Sequence, residues 1–439
     1  MRKNLNKIVA FAIGVSVISG LAIPVMADTK VTYANSDSTN QNNTKQVLTL
    51  EDAINGAKSS SNTIAILDEN IRLMQNINSL SDKKDDVVNS SDDSGSGLTD
   101  TQKDYDEDKR KLQLNQLEQK RDFMVDKLSQ SVTNAYNSLI ISQLEISQLK
   151  NDIELQKTEI QQYNLKKSLG LVTDINIDQV NLGLQKNLND LDNKQNTLKD
   201  DKENFKVLTG KDVDQYTLED KIEYKKFALD GSLDEYLDGV IDEYVSYTQE
   251  INDLNKDFWN DDDNKVGNDK VSDAKKFYES MKDSTPPKLS DYLKEGQSYD
   301  EKITAIETYI SKSSTYTNGL SYYTGMIGAR MNYLQNKSSV TTSELELNET
   351  KDQYKKALRT MYTNLLNIEK SIDLLNSNVE LSNKQLRINK INYDLGLKTK
   401  LDYDKSVSES ETLNNQLKST INSYNTLKAQ LEKPWIALS

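Results

Sequence analysis

Between Val132 and Ile160 an apolar residue recurs at every seventh position: Val132, Leu139, Ile146, Ile153 and Ile160. A later run does the same through Leu358, Leu365, Ile372, Val379, Leu386 and Tyr393, with Met361, Ile368 and Leu375 beside it. A period of seven holds a stripe on one face of a helix turning every 3.5 residues. Both runs therefore predict long helices packed in left-handed coiled coils. Each run stops at a glycine, within Leu169-Gly170-Leu171-Val172-Thr173 and Leu395-Gly396-Leu397-Lys398-Thr399. Glycine suits the left-handed position past a helix end, and Thr173-Asp174 or Thr399 suits the cap of the helix that follows. The pattern thus predicts two helical hairpins, the first rising over about 101–169 and returning over about 174–208. The second returns over about 399–431. The first rising helix would be on the order of 100 Å long.

The two hairpins are copies. Gly170 and Gly396 lie 226 positions apart, and the same offset pairs Tyr136 with Tyr362, Leu139 with Leu365, and Glu154-Leu155 with Glu380-Leu381. A short helix opens each half, at Thr49-Leu50-Glu51-Asp52-Ala53 and Ser232-Leu233-Asp234-Glu235-Tyr236. In each, a hydroxyl residue precedes an acid by three positions, the capping-box spacing. These openings are 183 positions apart, so the second half carries extra chain between its short and long helices. The predicted organisation is a first repeat over 47–210 with an insertion at 80–101, a linker over 211–231, and a second repeat over 232–436 with an insertion at 256–342. Both insertions read as surface loops or poorly ordered chain, the second with a turn at Asn318-Gly319. The fold class is all-α, with little or no β-structure. A hairpin this slender cannot bury its stripes in one compact core and must lie against others.

Composition narrows the chemistry. Only 35% of the 439 residues are hydrophobic, and Gly and Pro number 16 and 4, which suits extended helices. The chain has no His and no Cys, which removes thiol nucleophiles, His-based triads, His or Cys metal sites and disulfides. A net charge of −14 leaves nothing to neutralise phosphates in bulk, so no nucleic-acid partner is expected. There is no Gly-rich phosphate loop and no nucleophile elbow. No catalytic residue, cofactor or metal is expected, and the chain reads as a non-enzyme. Asp261-Asp262-Asp263-Asn264 before Gly267 invites comparison with a calcium loop. Val266 stands where an oxygen ligand belongs and Asp273 replaces the final Glu, so a solvated acidic loop is the reading.

The start, Met1-Arg2-Lys3-Asn4-Leu5-Asn6-Lys7, is basic, an apolar stretch covers 8–23, and Val25-Met26-Ala27 precedes Asp28. This predicts a secretory signal peptide over 1–27, cut between Ala27 and Asp28. Residues 28–46, polar and rich in Asn, Ser and Thr, read as a disordered lead-in. No later stretch offers the ~20 apolar residues of a membrane-spanning helix.

The doubled order of short helix, interruption, long helix, Leu-Gly-Leu turn and return helix resembles the TolC-like outer-membrane efflux family. Leu48-Thr49-Leu50-Glu51-Asp52-Ala53, the first tip with Asp174-Ile175, and Phe205-Lys206-Val207-Leu208-Thr209-Gly210 are similar to its motifs, and the resemblance covers roughly 47–436. It implies a homotrimer whose hairpins form a hollow helical barrel, completed by β-hairpins in the outer membrane. It also implies docking of the tips on a periplasmic adaptor (membrane fusion) protein linked to an ABC or proton-driven pump. The energy then comes from the pump. Carried onto this sequence, the adaptor contacts are Leu169, Gly170, Leu171, Val172 and Thr173, with Leu395, Gly396, Leu397, Lys398 and Thr399. The family's pore-narrowing acid falls on Asp402, the tyrosine that helps hold the pore shut on Tyr393, and its basic partner, Arg in the family, on Lys398. The acid expected in the first repeat is replaced by Asn176.

The interruptions depart from the family. Strands of ~9–11 alternating residues with aromatic girdles should stand there. Residues 80–101 instead carry Asp82, Asp85, Asp86, Asp92 and Asp93 and no aromatic residue, and the tyrosines around Asn318-Gly319 occupy too short a stretch. The expectation is a chain without the conventional membrane hairpins. It would reside in the cell envelope, at the outer membrane by resemblance or on the wall side of a single-membrane cell. The alternative is an exported coiled-coil structural or adhesive cell-surface protein without a channel.

Overall fold

The computed structural model describes residues 45–90, 100–281 and 286–437. The expected signal peptide, its cleavage site at Ala27 and Asp28, and nearly all of the lead-in lie outside these residues. The described chain runs β1 (Gln46–Leu48), α1 (Leu50–Ser60), α2 (Asn62–Ser90), α3 (Asp100–Ser168), α4 (Asp174–Thr209), a 3-10 turn (Val213–Gln215) and β2 (Tyr216–Leu218). It continues through α5 (Leu233–Asn260), α6 (Asn268–Met281), α7 (Leu289–Tyr292), α8 (Tyr299–Asp394), α9 (Lys400–Glu432) and a final 3-10 turn (Pro434–Ile436). The fold is all-α. Among the described residues, the β-structure is one parallel pairing of β1 with β2, Gln46 opposite Tyr216 and Leu48 opposite Leu218.

The chain divides into two units, one within 1–80, 114–245 and 353–439, the other within 81–113 and 246–352. In the first unit the helices lie in the order α4, α3, α9, α8. Lys194 on α4 meets Glu145 on α3 at 2.6 Å, and Asn187 meets Gln156 at 3.1 Å. From α3 to α9 run Asn134–Thr426 and Asn137–Asn422, both 2.8 Å, Ser408 to Asp152, and Lys405–Glu159 at 2.8 Å. Asn389 on α8 reaches Ser406 on α9 at 2.8 Å. In each pair the numbers fall on one helix as they rise on the other, so all three neighbours are antiparallel.

The seven-residue stripes supply this unit's core. Val132, Tyr136, Leu139 and Phe205 close one cluster with Leu48, Ala53 and Ala57. Leu358, Leu365 and Ile372 close another with Leu237, Ile241, Tyr424 and Leu431. Phe205 and Leu431, both fully buried, keep the 226 offset, so the repeat extends into the return helices. The capping boxes form as spaced: Asp52 N–H donates to Thr49 Oγ1 at 3.1 Å and Glu235 N–H to Ser232 Oγ at 3.2 Å. Gly56 lets α1 approach the end of α4, since a Cβ there would sit 2.5 Å from the Thr209 carbonyl oxygen. Trp435, which stands alone in the sequence, stacks on Phe123 at 4.3 Å and donates to Asp126 at 2.9 Å.

The second unit corrects the reading of both insertions. Within 80–101, α2 continues to Ser90 and α3 begins at Asp100. Arg110 explains how acidic chain stays helical, pairing with Asp82 at 2.8 Å and Asp85 at 3.2 Å. Within 256–342 stand the end of α5, α6, α7 and the first part of α8. The expected turn at Asn318-Gly319 is uninterrupted α8. Turn propensity there is outweighed by aromatic packing on both sides: Tyr309 against Tyr292 on α7, and Tyr316 and Tyr323 against Tyr278 on α6. Tyr105 stacks on Phe258 at 4.0 Å, and Trp259 lies against Phe258 and Tyr333. Among the described residues of both insertions there is no strand, and no helix is long and apolar enough to cross a membrane.

Candidate functional site: hairpin tips and an uncovered flank

Both tips turn on a glycine in the left-handed region, Gly170 at φ 73° and Gly396 at φ 74°. The backbone closes each turn by the same pair of bonds. Gly170 N–H donates to Lys167 O (2.8 Å) and Leu171 N–H to Lys166 O (2.9 Å). Gly396 N–H donates to Tyr393 O (3.0 Å) and Leu397 N–H to Asn392 O (2.8 Å). Satisfying the last carbonyls this way leaves the tip leucines with no part in closing the turn. Leu169, Leu171, Leu395 and Leu397 are all exposed, as is Ile175 at the start of α4.

The residues carried over as pore elements sit at the same tips. Thr399 caps α9: its Oγ1 accepts from the Asp402 N–H at 3.1 Å and donates to the Asp402 carboxylate at 2.7 Å. Asn176 occupies the matching place in α4, its Oδ1 accepting from the Thr173 N–H (3.1 Å) and Thr173 Oγ1 (2.8 Å). Asn176 and Asp402 are thus the third residues of two equivalent capping boxes. The Thr399 hydroxyl bond, with Lys398 and Lys405 nearby, holds the Asp402 carboxyl below the ordinary Asp range against some desolvation. Tyr393 stacks on Tyr403 at 5.4 Å with the rings 10° apart, and the Lys390 ammonium lies over both. Val172 and Lys398 are half-buried within the turns.

The 226 offset exposes a further feature that the sequence pattern did not reveal. Leu401 and Ser408 on α9 are buried, 7% and 9% exposed, and Ser408 meets Asp152 of α3. Their counterparts on α4, Ile175 and Leu182, are 68% and 69% exposed. On α8, Leu374, Leu381 and Ile388, with Leu395 just past its end, form a stripe of period seven, all exposed, alongside the buried Leu365 and Ile372. Leu381, 67% exposed, corresponds to Leu155 on α3, which is half-buried. The edges of the row therefore carry apolar residues whose equivalents inside it are covered.

The acidic loop is braced internally. Asp262 pairs with Lys265 at 3.3 Å, Asp263 N–H donates to Asp261 at 2.8 Å, and the Val266 carbonyl accepts from Arg330 at 2.5 Å. Among the described residues no group of three or more acidic side chains is arranged to hold a metal ion.

No family model matches this sequence. No curated protein matches it either. Among solved structures the chain is similar to a membrane protein from Pseudomonas aeruginosa, at 10% identity and a TM-score of 0.48 over 89% of this chain and 92% of that one. It is also similar to the outer membrane protein VceC from Vibrio cholerae, at 14% identity and a TM-score of 0.44 over 88% and 94% of the two chains. A third likeness is to the Campylobacter jejuni CmeC outer membrane channel, at 12% identity and a TM-score of 0.43 over 88% and 85%.

Proposed function

We propose that this chain is a non-enzymatic, TolC-like component of an export duct in the cell envelope. Copies of it close side by side into a helical tube. One observation carries this reading. Position for position, what α3 covers on α9 inside the chain is left uncovered on α4, and the helix equivalent to α3 is α8. Covering α4 in the same way requires the α8 of a second copy. Shifting the α3–α9 contact by the repeat offset sets the register and brings Leu182 against Leu381 and Ile175 against Ile388. The contact uses different faces on the two copies, so it propagates until a ring closes. Burying such leucines is worth about 1.5–3 kcal/mol each, enough to drive closure when repeated around a ring.

The sequence resemblance sets the ring at three copies, six hairpins in all. The exposed leucines at 169, 171, 395 and 397 then form a crown at one end, suited to an adaptor protein that couples the tube to an ABC or proton-driven pump. The substrates of such a duct are small molecules or proteins moved by that pump.

The chain has no native cysteine, which makes the test direct. A Leu182→Cys/Leu381→Cys variant of the exported chain, mildly oxidised, is expected to give a ladder of cross-linked species ending at three. Either single variant gives no ladder. A double variant that stays monomeric under oxidation, with particles showing no central cavity by electron microscopy, refutes the tube.

A further inference from the structure

The second unit holds a seam of its own. Along the first half of α8, positions alternate four and three apart from Tyr299 to Leu345. Every one is apolar or a small hydroxyl residue. Ile303, Ile306, Ile310, Leu320, Met331 and Leu334 on this seam are all exposed. Such spacing is the a and d pattern of a coiled coil, with Ile303, Ile310 and Met331 at a and Ile306, Leu320 and Leu334 at d. The chain's own packing stops beside it. Tyr309, Tyr316 and Tyr323, each one place before an a position, are the residues that α6 and α7 take up. One flank of the seam is therefore covered, while the seam itself is exposed except at Ser313 and Ile327, which are half-buried.

We propose that this seam is filled by the same segment of sister copies, in a parallel, in-register three-stranded coiled coil. Three observations on the chain name that occupant. The heptad is sustained without a break, as an in-register partner requires and a patch for an irregular ligand does not. Isoleucine stands at both a and d through Ile303, Ile306 and Ile310, the choice that favours three or four strands over two. Lys302 and Glu307 occupy the g position of one heptad and the e position of the next, which face each other with opposite charge only when strands run parallel. The choice of three rather than four rests on the copy number proposed for the tube. The consequence is a second assembly contact, in the unit that stands where the family places its membrane hairpins, made of helices and needing no lipid.

In a parallel in-register coil each d residue meets itself on the neighbouring strands. The test is Ile306→Cys in the full exported chain, oxidised with copper–phenanthroline and read on a non-reducing gel with thiol counting. The expected result is disulfide-linked dimer together with one unreacted thiol for every three chains, because three thiols leave one unpaired. Thr308→Cys, on the outer face of the same helix, is expected to give no cross-link. Complete conversion to dimer overturns the proposal, as does absence of cross-linking in protein whose helical circular dichroism is unchanged. Loss of the cross-link on adding phosphatidylglycerol–phosphatidylethanolamine vesicles, with the introduced thiol then shielded, overturns it in favour of a lipid surface. The tube is read on a different variant. A ladder from Leu182→Cys/Leu381→Cys without the cross-link at 306 refutes the coil alone, and the cross-link without the ladder upholds the coil and refutes the tube.

Discussion

The Tyr136 hydroxyl donates to the Leu48 carbonyl at 2.6 Å, joining α3 to the first strand of the chain. The same oxygen accepts the Glu219 N–H at 2.8 Å, so one side chain clips both strands of the small parallel pair to the helical row. Burial of that hydroxyl raises its pKa above the ordinary tyrosine value. The second core has a parallel device in Tyr424, whose hydroxyl accepts the Phe227 N–H at 2.7 Å. Tyr136→Phe keeps the ring but leaves the Leu48 carbonyl and the Glu219 N–H only their long 3.4 Å bond to each other, an expected cost of about 1–3 kcal/mol. Urea unfolding checks this: the midpoint should fall with the slope unchanged, and Tyr424→Phe should behave alike.

Leu365 and Leu381 are both leucines of α8, one fully buried and one largely exposed. Leu365→Ala should cost about 2–5 kcal/mol in any assembly state, through lost burial and a residual cavity. Leu381→Ala should leave the isolated chain within about 0.5 kcal/mol of wild type. Its effect should appear only in sedimentation, as weaker association. If it destabilises a demonstrated monomer as much as Leu365→Ala does, the flank is already covered within one chain.

Gly396 tests the tip. A Cβ at this position meets nothing within 4 Å, so any cost of Gly396→Ala comes from holding an L residue at φ 74°. That penalty is about 1–2 kcal/mol, and Gly170→Ala should match it because its surroundings are equally open. Thermal unfolding of the two variants side by side is the measurement.

The two capping boxes should part company in acid. Asp402 is held below its unfolded pKa of 3.8, chiefly by the Thr399 hydroxyl. A carboxylate of lowered pKa contributes stability that is fully present above the unfolded value and is lost as pH falls through the folded one. Asn176, at the equivalent place, has no proton to gain. Hydrogen exchange between pH 5 and pH 2 should show protection lost at the start of α9 before it is lost at the start of α4, and Asp402→Asn should abolish the difference.

The helices were legible because a period of seven leaves few alternatives once it has run through five positions. Val132 to Ile153 and Leu358 to Ile372 are buried as that period requires. Burial fades toward the tips, where Ile160, Val379 and Leu386 are only half-covered, since near the turn each stripe has fewer neighbours within its own chain. Three-residue strands such as Gln46–Leu48 carry too little pattern to be read. Their pairing depends on Tyr136, which is distant in sequence. The polar contacts from α3 to α9, such as Asn137 with Asn422, were hidden for the same reason: hydrophobic periodicity does not register residues that pair through amides. Asp82 and Asp85 read as loop because the pairing Arg110 lies on another helix.

Because the two hairpins are near-copies whose tips differ in charge, Val172, Asp174 and Asn176 standing against Lys398, Lys400 and Asp402, three chains closing in register would carry six fingertips of two charge patterns by turns. Whatever grips that crown must then either step in twos around the circle or ignore charge altogether. A partner that binds once for every chain could recognise its place by electrostatics, while one that binds at every finger would have to hold on by the bare leucines.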